Sequence, residues 1–180
     1  MEPPSGNIHY PLPPSSIDAA QYHSADQHAR EVDMLFHKLW LRAVPVQDIP
    51  NPKDYVIWEQ LGQSVVIARL DDGSLTAWHN VCQHRGARLV TESGHCAQGR
   101  FVCPWHGFIY DLEGKLRLAP LRKSFDENKL DGLRTPPVRI EQYGGFVWLC
   151  FSDDTPDLKS WLGDIGQELD WFGLAGFDVR

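Results

Sequence analysis

The feature that most constrains this chain is a short pattern written twice. Cys82-Gln83-His84-Arg85-Gly86 and Cys103-Pro104-Trp105-His106-Gly107 each offer a thiol, an imidazole and, one or two places after the histidine, a glycine, with eighteen residues between His84 and Cys103. Together they form a four-donor set. A zinc finger usually draws both cysteines from one short loop and both histidines from another, as C-x2-4-C and H-x3-5-H. Here each loop supplies one donor of each kind, so the fold has to bring two separate loops to a common point.

That mixture suits a binuclear iron–sulfur centre in which one iron takes two thiolates and the other two imidazoles, the Rieske type of [2Fe–2S] cluster. Cys82, His84, Cys103 and His106 are the expected ligands. The glycines fit the same picture, because backbone beside an inorganic cluster has little room for a Cβ and can require positive φ. A structural zinc module and a pairing without function are the alternatives that the residues leave open.

The rest of the composition narrows the class. With 180 residues and a hydrophobic fraction of 42%, the chain is long enough for one domain with a core. A net charge of −7 without a basic run argues against nucleic acid or an anionic membrane surface as partner. No apolar stretch approaches the ~18 residues of a membrane span, and Met1-Glu2-Pro3-Pro4 has no leader character. A cytoplasmic location is the expectation. Cys96 and Cys150 are left over from the ligand set; Cys150 lies in an apolar run and reads as a small buried hydrophobe.

In chain order, residues 1–14 hold five prolines and read as a disordered or extended arm. Segment 15–45 reads as helical: Ser24 is a cap with Gln27 as its capping-box partner, and Val32, Leu35, Phe36 and Leu39 form one apolar stripe. His23 and His28, with Asp26 between them, are separated by about 140° on a helix and read as surface histidines. From 46 to 152 the period is that of strands: Tyr55–Glu59, Ser64–Leu70, Ser74–His79, Arg100–Cys103, Gly107–Asp111, Lys115–Leu118, Val138–Gln142 and Phe146–Phe151. Asp71-Asp72-Gly73 is a hairpin signal, and 119–135 reads as an extended loop. Thr155-Pro156 is expected to start a second helix within 153–180, with Leu158, Trp161, Leu162, Ile165 and Leu169 as its stripe. The expected fold is mainly β: an antiparallel sandwich presenting the ligand loops at hairpin tips, flanked by helices at both ends.

The pattern C-x-H-R-G…C-P-x-H-G resembles the Rieske domain of the ring-hydroxylating, non-haem iron oxygenases, in their large (alpha) subunit. The likeness extends to Tyr22-His23-Ser24, to Glu31–Phe36 leading into Trp40, and through Asp72-Gly73, Ala77–Cys82 and Tyr110–Leu116. It implies electron transfer, from a reductase or ferredoxin to the mononuclear iron of a catalytic domain in an adjacent subunit of a homo- or hetero-oligomer. That catalytic domain, with its Asp-x2-His-x4-His motif, has no counterpart in these 180 residues; position 20, ahead of His23 and His28, is Ala. The chain alone is therefore expected to lack the oxygen-activating site. A free-standing Rieske ferredoxin is the alternative.

The resemblance also assigns the surrounding residues. Respiratory Rieske proteins carry a loop disulfide at positions matching Ala87 and Trp105, where none can form. Phe108 stands where high-potential members place a serine that donates to a bridging sulfur, and Tyr110 matches a tyrosine that bonds a cysteine sulfur. One donor lost and no disulfide imply the low end of the potential range. His106 is implied as the electron exit toward an aspartate of the neighbouring subunit. Trp105 is implied as interface packing, and Arg85 either holds a carboxylate across that interface or makes an ion pair within the domain.

Overall fold

The computed structural model describes residues 17–120 and 130–176. The N-terminal arm and most of the 119–135 loop lie outside that range. Ten strands are described, in three antiparallel sheets: β1 (Leu41–Pro45), β2 (Asp54–Gln60), β3 (Gln63–Arg69), β4 (Leu75–His79), β5 (Gly94–His95), β6 (Arg100–Val102), β7 (Ile109–Asp111), β8 (Leu116–Leu118), β9 (Arg139–Tyr143) and β10 (Phe146–Cys150). Their orders are β4-β3-β2-β5, β6-β7-β8 and β1-β10-β9.

The four-stranded sheet is central because β3 is apolar on both faces. Val66 and Ala68 point into a core shared with Trp78, Phe101, Phe108 and Tyr110, toward the three short strands that carry the second ligand loop. Val65 and Ile67 point the other way, into a core with Ile49, Trp58, Val147 and Leu149 under the β1-β10-β9 sheet. Alternation of side chains along a strand turns one continuous apolar run, Val65–Ala68, into two buried faces.

The turns follow local chemistry. Between β3 and β4, Gly73 has φ 85°, and Asp72 Oδ1 accepts from the Ser74 amide at 2.9 Å. Between β2 and β3 the chain turns at Leu61-Gly62, and Leu61 adopts a φ of 53°, unusual for a side chain with a Cβ.

The helical parts depart from the expected stripes. Ser24 does cap helix α1 (Ala25–Glu31), its hydroxyl accepting from the Gln27 amide at 3.2 Å. The reciprocal half of the capping box is not made: the Gln27 side chain donates to Glu31 instead. A π-helical turn over Val32–Phe36 follows. It advances the phase of the helix by about one residue, so Leu35 ends 48% exposed. His23 and His28 are both on the surface, as expected.

Near the C-terminus the cap is Asp157 rather than Thr155, its carboxylate accepting from the Ser160 amide. The Thr155 hydroxyl is drawn away to the carbonyl of Lys38. Helix α2 (Leu158–Leu162) stops at Gly163, whose φ of 51° breaks the run, and α3 (Asp164–Phe172) starts on a new axis. Leu158 and Leu162 are buried with Trp40 and Cys150, and Leu169 packs on them. Ile165 is 62% exposed because the break rotates it off that face. No described helix is long and apolar enough to cross a membrane.

Gly114 is the tightest point of the β framework. It has φ 73°, and a Cβ there would strike Thr135 Oγ1 and come within 3.0 Å of Trp78 Cγ. Gly114→Ala is therefore expected to destabilise by about 2–4 kcal/mol, combining backbone strain with overpacking, as read from the denaturation midpoint in urea.

Candidate metal centre

Both ligand loops have the same backbone closure. In the first, the Cys82 amide donates to the Ala87 carbonyl at 2.7 Å and the Gly86 amide to the Cys82 carbonyl at 2.9 Å. In the second, the Cys103 amide donates to Phe108 at 2.8 Å and the Gly107 amide to Cys103 at 3.0 Å. Gly86 and Gly107 sit at φ 74° and 69°. Of the two reasons for glycine, positive φ holds at both sites. Crowding by the protein itself holds only at Gly107, where a Cβ would lie 3.3 Å from Pro120.

This shared geometry aims the four donors at one place. Cys82, His84, Cys103 and His106 line a single cavity of about 400 Å³, together with Arg85, Gly86, Ala87 and Trp105. The thiols form its floor, at 1% and 2% exposure for Cys82 and Cys103. His84 is half-buried and His106 exposed, their ring centroids 4.6 Å apart and their planes at 80°. Thiols inside and imidazoles outside is a sided site.

Each neighbour has a defined contact. The Tyr110 hydroxyl lies 3.4 Å from Cys82 Sγ and accepts the Gln83 amide at 3.0 Å. In the contact with sulfur either partner can donate, the hydroxyl to a thiolate or a thiol to the hydroxyl. Burial, then the hydrogen bond to Cys82, pushes the Tyr110 pKa well up, so the proton is retained. The Phe108 ring lies flat on His84, centroids 4.8 Å apart at 4°, and offers no donor. Among the described residues Arg85 makes no ion pair, and Trp105 is 76% exposed.

Electrostatics favour the uncharged forms of Cys82 and His84. Burial raises the Cys82 thiol, and the nearness of Cys103 adds to it. Burial lowers His84, helped by His106 and Arg85, favouring the neutral imidazole whose lone pair binds metal. Among the described residues no group of three or more His, Cys, Asp or Glu side chains is placed to hold one ion. Two thiols and two imidazoles, paired by type, fit the two-and-two split of a binuclear cluster.

Residues 39–140 match the model of the Rieske [2Fe-2S] domain. The chain belongs to that family. A Rieske domain carries a [2Fe–2S] cluster, and the mainly antiparallel β fold agrees with it. The chain is 37% identical over 145 residues to the large oxygenase component of a naphthalene 1,2-dioxygenase system from Pseudomonas aeruginosa, covering 78% of this chain and 32% of that protein. It is 32% identical to a glycine betaine monooxygenase oxygenase subunit from Pseudomonas aeruginosa, covering 91% and 38%. The crystal structure of the quaternary ammonium Rieske monooxygenase CntA with an inhibitor superposes with a TM-score of 0.79 at 26% identity, covering 87% of this chain and 44% of that one. The chain spans about a third of the length of the curated relatives it matches.

The sequence pattern did not single out Asn80, which is buried just ahead of the first loop and bonded to the chain returning from it at Leu89 and Val90. Its signal was available only in its place two residues before Cys82. Just ahead of it, His79 packs its ring on Phe151 with centroids 5.8 Å apart, and burial lowers its pKa below the ordinary 6.5. The folded Rieske domain thus binds this proton less readily than the unfolded chain. Stability is expected to fall as pH drops through about 6.5 and below. His79→Gln is expected to flatten that part of the pH–stability curve, measured by urea unfolding from pH 5 to 8 on the metal-free protein.

Proposed function

We propose that Cys82 and Cys103 hold one iron of the Rieske cluster and His84 and His106 the other, and that the domain relays electrons from a reductase or ferredoxin to the mononuclear iron of a ring-hydroxylating oxygenase. The observation that carries this is the sidedness of the site: two buried thiols below, a half-buried and an exposed imidazole above, in one cavity. When bound, the cluster supplies one-electron redox chemistry at a potential set within roughly −150 to +300 mV by replacing two thiolates with neutral imidazoles.

The protein residues set the direction and level of that transfer. His106 reaches solvent, so its outer ring nitrogen is the point where a carboxylate of an adjacent catalytic domain is met. Arg85 and Trp105 flank it as exposed charge and exposed ring, suited to the same contact. Tyr110 stabilises added electron density on Cys82 Sγ by donating to it; Phe108 supports His84 by stacking and donates nothing. With one donor and no disulfide, the potential sits toward the low end, matched to a flavin- or ferredoxin-derived electron. The working unit is a Rieske body over 46–152, completed by strand β1 from the end of the 15–45 segment and flanked by α1 before it and by α2 and α3 after it, in a homo- or hetero-oligomer in the cytoplasm.

The naphthalene relatives support aromatic-ring hydroxylation. The glycine betaine relative aligns over more of the chain, so delivery to a quaternary-ammonium oxygenase is the second reading. Product analysis with the whole oxygenase and each substrate class separates them.

Purified protein is expected to contain two irons and two acid-labile sulfides per chain, the composition of the cluster. Replacing Cys82, His84, Cys103 or His106 by Ala removes a donor that a methyl cannot supply, and abolishes it. A His84→Ala protein with full iron and an unchanged spectrum refutes the assignment.

A second outcome concerns Tyr110→Phe. Loss of the hydroxyl removes a hydrogen bond to sulfur, and the midpoint potential in film voltammetry is expected to move down. An unchanged potential means that Tyr110 serves only to hold the Gln83 amide.

A further inference from the structure

The two ligand loops close alike but are held by different means. The second is the tip of a paired hairpin: Phe101 faces Tyr110 and Val102 faces Ile109, so strands β6 and β7 clamp both of its ends. The first has a strand on one side only. β4 leads into it, but the returning chain, Ala87–Val90, belongs to no strand. Nothing in the sheet pattern fixes where that returning segment lies.

Asn80 occupies the gap. It is 4% exposed. Its side-chain oxygen accepts from the Leu89 and Val90 amides at 3.0 and 3.1 Å. Its side-chain nitrogen donates to the Val90 carbonyl at 2.8 Å and to Ser64 Oγ at 3.2 Å. Two acceptor sites and two donor hydrogens are all that a carboxamide has, and all four are used. Its own amide donates to the Ser64 carbonyl at 2.9 Å, which anchors it to the central sheet. A carboxamide has the hydrogen-bonding groups of a peptide unit, so Asn80 presents to Leu89 and Val90 what a neighbouring strand would have presented.

We propose that Asn80 is the positioning residue for the Cys82/His84 half of the site, its side chain substituting for the missing strand partner and fixing both ends of the first ligand loop. The inference rests on the ligand assignment above. Other residue types fill the role poorly. Asp keeps the two acceptor contacts but sets a carboxylate oxygen against the Val90 carbonyl, and Ala takes the side-chain partner from the buried Leu89 amide and from the half-buried Val90 amide and carbonyl, the first of these the most costly loss.

The experiment compares Asn80→Ala, Asn80→Asp and a control, Leu158→Ala, which opens the core under α2 away from the site. Iron content of the parent protein is measured first, so that failure of the ligand assignment is seen separately. Hydrogen exchange of the Leu89 and Val90 amides is then followed in the metal-free proteins, and the paramagnetic resonance spectrum, midpoint potential and rate of iron loss to a chelator in the loaded ones. Asn80→Ala is expected to speed exchange at both amides and iron loss on the order of tenfold, the equivalent of about one buried hydrogen bond. It should also shift the spectrum and potential, with Asn80→Asp between it and the parent. Leu158→Ala should lower the melting temperature and leave the spectrum and potential in place. If Asn80→Ala folds with parental spectrum and potential, and loses stability like the control, the proposal is overturned. Should Asn80→Ala not fold, a parental spectrum, potential and Leu89/Val90 exchange in Asn80→Asp overturn it equally.

Discussion

The indole of Trp78 fastens the two halves of the site together. Trp78 lies on β4, the strand that runs into the first ligand loop, and is fully buried. Its Nε1 donates to the Leu112 carbonyl at 2.9 Å, just beyond the β6–β7 pair that carries the second loop. Its ring meets Phe101 on β6 edge-on at 5.3 Å. One side chain therefore bonds one stem to the other through both a directional contact and a packing contact. The four donors come from loop tips, but their separation is decided a layer below, where rotamer and backbone freedom are already removed. This is also why Gly114 has no room for a side chain: the turn after Leu112 has to pass against the same indole.

Above that layer, the chemistry divides by depth. Burial pushes the Cys82 thiol toward its protonated form and the half-buried His84 toward the neutral imidazole, so neither brings a charge into the site of its own accord. Loading the site exchanges thiol protons for metal, and the stability of the loaded form rises with pH accordingly. Of the two imidazoles, His106 is exposed and His84 half-buried against Phe108, so the nitrogen side is the side that solvent reaches. Sidedness thus shields the sulfur side from water and leaves the nitrogen side open.

Most of this was legible in the sequence because the relevant signals are short-range. Cys-x-His-x-Gly and Cys-x2-His-Gly mark the four side chains that line one cavity, and Asp71-Asp72-Gly73 fixes a hairpin through a side-chain bond and a positive φ. What escaped reading depends on distant partners. β1 and β5 have weak patterns of their own; β1 is a strand because Leu41–Pro45 meets Phe146–Leu149, and β5 because Gly94 and His95 meet Tyr55 and Asp54. Thr155 has the right type for a cap, but the Lys38 carbonyl, more than a hundred residues away, competes for its hydroxyl. Asn80 could not be weighed without knowing that the returning chain lacks a strand.

The physical unit is larger than the family match. Residues 39–140 end inside β9, yet β10 is the central strand of its sheet, paired on one side with β1 and on the other with β9. Val147 and Leu149 on β10 are fully buried against the central sheet. Past β10 the chain is tied back again: Arg139 donates to the carbonyls of Ser152 at 2.6 Å and Thr155 at 2.7 Å, its guanidinium lies 5.0 Å over the Trp40 ring, and the Trp40 indole donates to the Pro156 carbonyl at 2.9 Å. Trp40, just ahead of β1 and near the start of the match, and the segment leading into α2 beyond its end are thus joined through one arginine and one tryptophan. Cutting the chain at the C-terminal edge of the match would remove a central strand from its sheet and strip from Trp40 its cover of Cys150, Leu158 and Leu162. The ligand loops are the recognisable part of this domain, but the segment that must fold to hold them runs from Trp40 through α2.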